Sequence, residues 1–270
     1  MALAYQSFND AQAAARFLAE RREARLLGGG TLLVRRVNEG DVSIGTYVRL
    51  VAPQLKQIDV ADNTIRLGAG VTMSAIAKTP AIGFLAVVAR SIGGPSVRSA
   101  ATVGGNLFAP SPYGDFGVAL LALDAVVSIE SPEGLREFSL ETFFQSRERL
   151  TAGSIVTTVR FPRPAPGDFR FVKVNRVKPK GAAVMSIAAV IAIQEGRVSM
   201  ARISLGAMAG TPVRAHRLEQ TLKGTTLEPH EIEQAVTSAT ADISPTSDAI
   251  ASEWYRKAVL PVHLRRLLSS

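Results

Sequence analysis

The sequence predicts a mixed helix-and-strand protein in two domains. Three observations carry that expectation: globular composition over 270 residues, short strand and helix patterns that alternate along the chain, and one proline-dense stretch, Pro162-Arg163-Pro164-Ala165-Pro166-Gly167, that interrupts them. Hydrophobic residues make up 47% and charged residues 20%, which is enough apolar side chain for a core and excludes wholesale disorder. No window reaches the roughly 18 apolar residues of a membrane span, since even VALLALDAVVSI is short and broken by Asp124. The stretch MALAYQSFNDAQAAARFL lacks the basic region and cleavage site of a signal peptide and reads as an amphipathic helix, so a cytoplasmic protein is expected.

Taken in order, Asn9 or Asp10 caps a helix whose apolar face is Ala13, Ala14, Phe17 and Leu18. Ala24 to Leu27 reads as a short strand, followed at once by Gly28-Gly29-Gly30-Thr31 and a helix from Leu32 to Arg36. Gln57 to Val60 and Thr64 to Leu67 read as strands around an Asp62-Asn63 turn. Phe84 to Ile92 reads as a helix stopped by Gly93-Gly94-Pro95. After a second glycine turn at Gly104-Gly105, Asp115 leads into a helix carrying Val118, Leu121 and Ala122. Ala125 to Glu130 is then a strand turning at Ser131-Pro132-Glu133-Gly134, and Ser154 to Phe161 is another. Beyond the prolines, Ala182 to Gln194 and Arg197 to Leu205 pair across a Glu195-Gly196 hairpin turn. Helices follow, opened by Thr211-Pro212 (through Arg214, Leu218 and Leu222), by Pro229 (through Ile232 and Val236) and by Ser252 (to Leu268).

Several chemistries are excluded by residue type. With no cysteine there is no disulfide, thiolate zinc site, cysteine-held iron-sulfur cluster or cysteine nucleophile in this chain, so a redox role needs a borrowed cofactor. His216, His230 and His263 are not paired with other ligands at metal-site spacing, and neither a Gly-x-Ser-x-Gly elbow nor a P-loop occurs. No catalytic residue and no metal site are therefore expected. The formal charge is +8, and Arg163, Arg170, Lys173, Arg176, Lys178 and Lys180 concentrate it against a single acid, Asp168. A solvated loop, an anion site and a subunit interface all fit that stretch. No aromatic RNA-binding signature or zinc-finger spacing accompanies it, and no nucleic-acid partner is expected.

Two glycine turns remain, Leu27-Gly28-Gly29-Gly30-Thr31 and Thr102-Val103-Gly104-Gly105-Asn106. Backbone N–H groups without a Cβ in the way can form an anion nest, so the pair suits the pyrophosphate of a dinucleotide. A tight structural loop is the alternative for each, and neither is a Gly-x-Gly-x-x-Gly fingerprint.

With Ala24-Arg25-Leu26 before the first turn, Ala101 and Leu107 around the second, and Ser111-Pro112-Tyr113-Gly114-Asp115 after it, the sequence resembles the FAD-binding medium subunit of molybdenum hydroxylases. That group includes the flavoproteins of carbon monoxide dehydrogenase, xanthine dehydrogenase and aldehyde oxidoreductase. Gly210-Thr211-Pro212-Val213-Arg214-Ala215 and Ser252-Glu253-Trp254-Tyr255-Arg256 continue the resemblance along nearly the whole chain.

The resemblance implies an α+β fold. Residues 1–161 would form an FAD-binding domain of the vanillyl-alcohol-oxidase type, in two α+β subdomains split near 50–60. Residues 162–167 would be a linker, and 168–270 a C-terminal domain with a small antiparallel sheet and helices. Leu27, Gly28, Gly29, Gly30, Thr31 and Leu32, with Ala101, Thr102, Gly104, Gly105 and Asn106, would surround the pyrophosphate and ribityl chain, and Asp115 would anchor the flavin. Leu32 stands where the family has a polar residue, so backbone contacts are expected there. Phe171 matches an aromatic that lies near the isoalloxazine in relatives, with ordinary core packing as the alternative, and Lys173 matches a motif lysine. The implied role is electron transfer from [2Fe-2S] clusters of a small subunit to an external acceptor, with substrate oxidised in a molybdenum-cofactor large subunit of a heterotrimer. A self-sufficient flavin oxidase or reductase and a cofactor-free basic interaction protein are the alternatives.

Overall fold

The computed structural model describes residues 3–151, 153–177 and 181–269. They fall into two compact units, residues 1–109 with 125–161 and residues 110–124 with 162–270. The division departs from a simple cut at 161 in one segment, 110–124, for a reason that lies in the second sheet.

The first unit begins with β1 (Ala4–Phe8), α1 (Ala11–Glu20), β2 (Ala24–Leu26), α2 (Leu33–Asn38) and β3 (Thr46–Leu50), whose strands form a parallel sheet in the order β1-β3-β2. Asp10 caps α1 by accepting from the Ala13 N–H at 2.6 Å. The small side chains of Ala14 and Ala15 bring the helix close to Val48 and Leu50 in one buried cluster. Ala4–Phe8 is a strand, contrary to the helical reading of the first residues. Its residues are largely exposed, and what fixes it is parallel pairing with Thr46–Leu50, a distant partner that local periodicity does not reveal.

The second half of this unit runs through β4 (Ile58–Val60), β5 (Thr64–Gly68), the short helices α3 (Met73–Lys78), α4 (Ala86–Ser91), α5 (Pro95–Ala100) and α6 (Val103–Leu107), and then, after α7 (Asp115–Ala122), β6 (Val126–Ser131), β7 (Gly134–Ser139), α8 (Leu140–Thr151) and β8 (Ile155–Pro162). The five strands form one sheet in the order β4-β5-β8-β6-β7. β6 and β7 are the hairpin whose turn the sequence marks at Ser131 to Gly134.

The second unit is built on an antiparallel sheet, β12-β11-β10-β9, from β9 (Phe169–Asn175), β10 (Ala183–Gln194), β11 (Arg197–Gly206) and β12 (Val213–Arg214). One face carries Met185, Ile187, Ala189, Ile203 and Leu205 into a core with α9 (His216–Leu222), α10 (Pro229–Ser238) and α11 (Glu253–Leu268). Leu260, Leu264 and Leu267 recur on one stripe of α11, each stabilising by about 1.5–3 kcal/mol on full burial. The helix expected at Thr211 starts only at His216. Val213 and Arg214 pair first with Leu205 and Ser204, because β-branched Val213 and the ion pairs of Arg214 suit a strand.

The opposite face of this sheet is covered by α7. Every residue of α7 is buried, it has no polar stripe, and Ser204 Oγ on β11 donates to Val118 O at 2.6 Å. That cover is why residues 110–124 group with the second unit. Among the described residues no helix is long and apolar enough to cross a membrane.

Candidate functional site

β2 aims the chain into the first glycine turn, where the Leu27 N–H donates to Val48 O at 2.7 Å. The next five backbone N–H groups, of Gly28, Gly29, Gly30, Thr31 and Leu32, donate to nothing among the described residues. Gly30 takes φ +74, and a Cβ there would also meet Val34 Cγ2 at 2.9 Å, so this position requires glycine on both counts. Gly28 is exposed and Gly29 to Leu32 are half-buried, which leaves the donors at an accessible surface. Consecutive unpaired N–H groups of this kind form a concave donor surface for an anion.

The second turn is different. Thr102 caps α6, its Oγ1 accepting from the Gly105 N–H at 3.1 Å. The Val103 N–H donates to Val71 O at 2.8 Å, that of Gly104 to Ala69 O at 2.8 Å and that of Asn106 to Thr102 O at 3.0 Å, while Asn106 Nδ2 donates to the same carbonyl at 2.9 Å. Its N–H donors are paired inside the protein, so it does not present a row of open donors as the first turn does. Gly104 is glycine because of close approach alone: a Cβ would lie 3.0 Å from Ala69 Cβ and 3.1 Å from Ala69 O.

The two turns are built against each other. A Cβ on Gly29 would sit 1.7 Å from Ala100 O, and one on Gly28 would lie 3.1 Å from Thr102 Oγ1. Leu27 to Leu32 and Ala101 to Asn106 thus form one locality, with Gly105 exposed and Asn106 half-buried at its rim. Arg49, on β3, also reaches this locality by donating from Nη1 to Gly28 O at 3.2 Å. The sequence reading missed Arg49 because it missed the strand that carries it.

Asp115, Phe171 and Lys173 lie together in the second unit. Lys173 Nζ is 2.7 Å from Asp115 Oδ2, with side chains 8% and 5% exposed, and Asp115 Oδ1 is a buried acceptor without a hydrogen-bond partner among the described residues. Phe171 pairs with Ala188 and Lys173 with Ser186, so both side chains lie on the α7 side of the sheet and not in its helix-side core.

Three of the six cations of the basic stretch are engaged within the second unit. Besides Lys173, Arg170 donates to Leu267 O and Leu268 O at 3.0 and 2.8 Å, where the carbonyls at the end of α11 favour a cation. Burial lowers the pKa of Arg170, and Asp168 acts against that. Arg176 donates to Ala249 O at 3.3 Å, while Lys178 and Lys180 lie outside the described residues.

The two later motifs are also structural. Arg214 forms a bidentate pair with Glu219 at 2.6 and 2.7 Å, and Glu219 accepts the Ile203 N–H as well. Arg256, 1% exposed, donates from Nε to Val184 O at 2.9 Å, from Nη1 to Thr246 O and Ala251 O, and from Nη2 to Asp248 at 3.0 and 2.9 Å.

Comparison with known proteins assigns nearly the whole chain. Residues 1–164 match the family described as FAD binding domain in molybdopterin dehydrogenase, and residues 170–270 match the CO dehydrogenase flavoprotein C-terminal domain. The chain belongs to this flavoprotein family. It is of the medium-subunit type, an FAD-binding electron-transfer subunit of the molybdenum hydroxylase class, with the α+β architecture of two subdomains that the sequence reading expected. This flavoprotein is 27% identical to the xanthine dehydrogenase FAD-binding subunit of Escherichia coli O157:H7, over 93% of this chain and 90% of that protein. It is 30% identical to the nicotinate dehydrogenase FAD-subunit of Eubacterium barkeri, over 73% and 71% of the two chains. Among solved structures, reconstituted CO dehydrogenase from Oligotropha carboxidovorans superimposes with a TM-score of 0.92 at 25% identity, over 100% of this chain and 97% of that one. Quinoline 2-oxidoreductase from Pseudomonas putida 86 gives 0.89 at 26% identity, over 100% and 96%.

Proposed function

We propose that this flavoprotein carries FAD in a three-component molybdenum hydroxylase, alongside a large subunit with the molybdenum cofactor and a small subunit with [2Fe-2S] clusters, in the cytoplasm. A vanillyl-alcohol-oxidase type of FAD fold is part of the proposal. The observation that carries it is the row of five N–H groups from Gly28 to Leu32 without an acceptor among the described residues, with Gly29 packed so closely on Ala100 that no Cβ fits and Gly28 close to Thr102. This donor set fits a diphosphate: it offers hydrogen bonds and partial positive charge where the oxygens would lie. Gly28 to Leu32 would hold the diphosphate. Thr102 and its cap would keep the first turn in place, and Asp115, held by Lys173, would keep Oδ1 as an acceptor for a hydroxyl donor.

When bound, FAD would supply the redox couple through which electrons from the partner's [2Fe-2S] clusters reach an external acceptor. The chain's own share is binding and orientation, since no acid-base constellation for substrate oxidation is evident in it. The test is to purify the chain with its natural partners, denature it and identify the released flavin by mass. FAD is expected. FMN, or a colourless complex, overturns the proposal. Reduction of the flavin by a substrate in the isolated chain would instead establish a self-sufficient oxidase or reductase.

A further inference from the structure

Arg49 is the residue of the first sheet that the fold itself does not explain. β3 is the central strand, and Thr46, Val48 and Leu50 are buried, with Val48 and Leu50 packed toward α1; Tyr47 and Arg49 point to the other face. On that face Tyr47 is 8% exposed and its hydroxyl is a buried polar atom without a hydrogen-bond partner among the described residues. The cross-strand neighbours there are Tyr5 and Arg25 beside Tyr47, and Ser7 beside Arg49, so no carboxylate occupies these rows. Among the described residues the Arg49 guanidinium has one hydrogen-bond partner, Gly28 O, and no ion-pair partner. A guanidinium carries five N–H donors, so most of its capacity is unspent at the edge of a turn that presents five more.

We infer that Arg49 is a phosphate-binding residue, supplying the full positive charge that the backbone nest lacks. The inference rests on the reading that this flavoprotein binds FAD, and it adds the assignment of a side chain to the diphosphate. Backbone N–H groups alone offer only partial charges to a group with two negative charges. A guanidinium tethered to Gly28 O stands next to those donors and can turn its remaining N–H groups onto an oxygen. The bond to Gly28 O also restrains the side chain before the ligand arrives, which lowers the entropy cost of binding.

The test measures FAD affinity of the full-length chain stripped of flavin, for the native protein, Arg49→Gln and Arg49→Lys, at low salt and at about 1 M KCl, where the screening length falls to about 3 Å. Arg49→Gln should weaken FAD binding about tenfold at low salt, as expected for a lost charge-assisted bond, with the gap narrowing at high salt. Arg49→Lys should retain most of the affinity. No loss in Arg49→Gln overturns the assignment. So does a loss that is independent of salt and equal in Arg49→Lys, because Arg49 would then serve only to prop the turn through Gly28 O. Failure of the native chain to bind FAD at all would refute the proposed function instead, and is told apart because it does not depend on residue 49.

Discussion

Lys173 Nζ and Asp115 Oδ2 form a 2.7 Å ion pair, nearly excluded from solvent, that ties the first residue of α7 to β9. The partners come from distant parts of the sequence, and both belong to the second unit. At the far end of α7, Asp124 adopts φ +56 and meets Arg202 at 3.1 Å, so the helix is held to the sheet by charge at both ends and by apolar burial between.

Removing both members of the buried pair should cost less than the two single removals added together. Lys173→Met or Asp115→Asn alone should each destabilise by about 3–5 kcal/mol, because the remaining polar group is left buried without its counter-charge. The double variant should lose clearly less than the sum. Urea denaturation of the four proteins of the cycle measures this, and additive losses would show that the pair is not coupled.

Gly29→Ala should abolish flavin retention while leaving a folded chain. Its Cβ would fall 1.7 Å from Ala100 O, so one turn must move away from the other. Gly83→Ala is the control, since a Cβ at Gly83 meets nothing within 4 Å. Flavin absorbance per mole of purified protein reads the difference. Stoichiometric FAD in Gly29→Ala would remove these turns from the binding site.

Arg256→Ala should destabilise the second unit by about 3–5 kcal/mol, since it takes the guanidinium from Val184 O and Thr246 O and the counter-charge from Asp248, which keeps only the Ile250 and Ala251 N–H groups. Arg256→Lys should not restore it, because an ammonium cannot donate in these separate directions at once. Thermal unfolding of the full chain checks both.

Acid should weaken the same region. Burial pushes the Asp248 carboxyl up, but the N–H groups of Ala251 and Ile250 and the Arg256 guanidinium outweigh it and hold the pKa below its ordinary 3.8. A depressed folded-state pKa means that the stabilisation is fully present above about 3.8 and is lost as pH falls through the lower folded value. Asp248→Asn should therefore be less stable than the native chain at pH 6, and the gap should close on titration below pH 4. A gap that is constant with pH would contradict the assignment.

What could be read from the sequence was what local chemistry encodes. Asp10 before α1, Ser252 before α11, the Glu195-Gly196 hairpin turn and the apolar stripe of α11 depend on residues a few positions apart, and each is legible. β1 and β12 are set by partners far away in sequence and were read as helix. The glycine turns were visible as composition, yet their opposite roles were not. Whether an N–H is free or spent depends on the Ala69 and Val71 carbonyls reaching the second turn, and on no acceptor among the described residues reaching the N–H groups of the first. Arg49 was hidden for the same reason: its importance comes from a neighbour, Gly28, supplied by the glycine turn that follows another strand.

The excursion of residues 110–124 imposes an order on biosynthesis. From Phe116 onward α7 is apolar on all sides, and it leaves the ribosome well before β10 and β11, the strands that will cover it. Until those strands emerge, a helix that is apolar from Phe116 onward is exposed on the nascent chain, where it is a natural substrate for a holding chaperone. A fragment beginning at Pro162 would face the reverse problem, a sheet surface including Ser204 and Gly206 with its covering helix missing. The two halves of this protein are therefore separable by contact but not by scissors: a cut at the linker yields an incomplete fold on the C-terminal side.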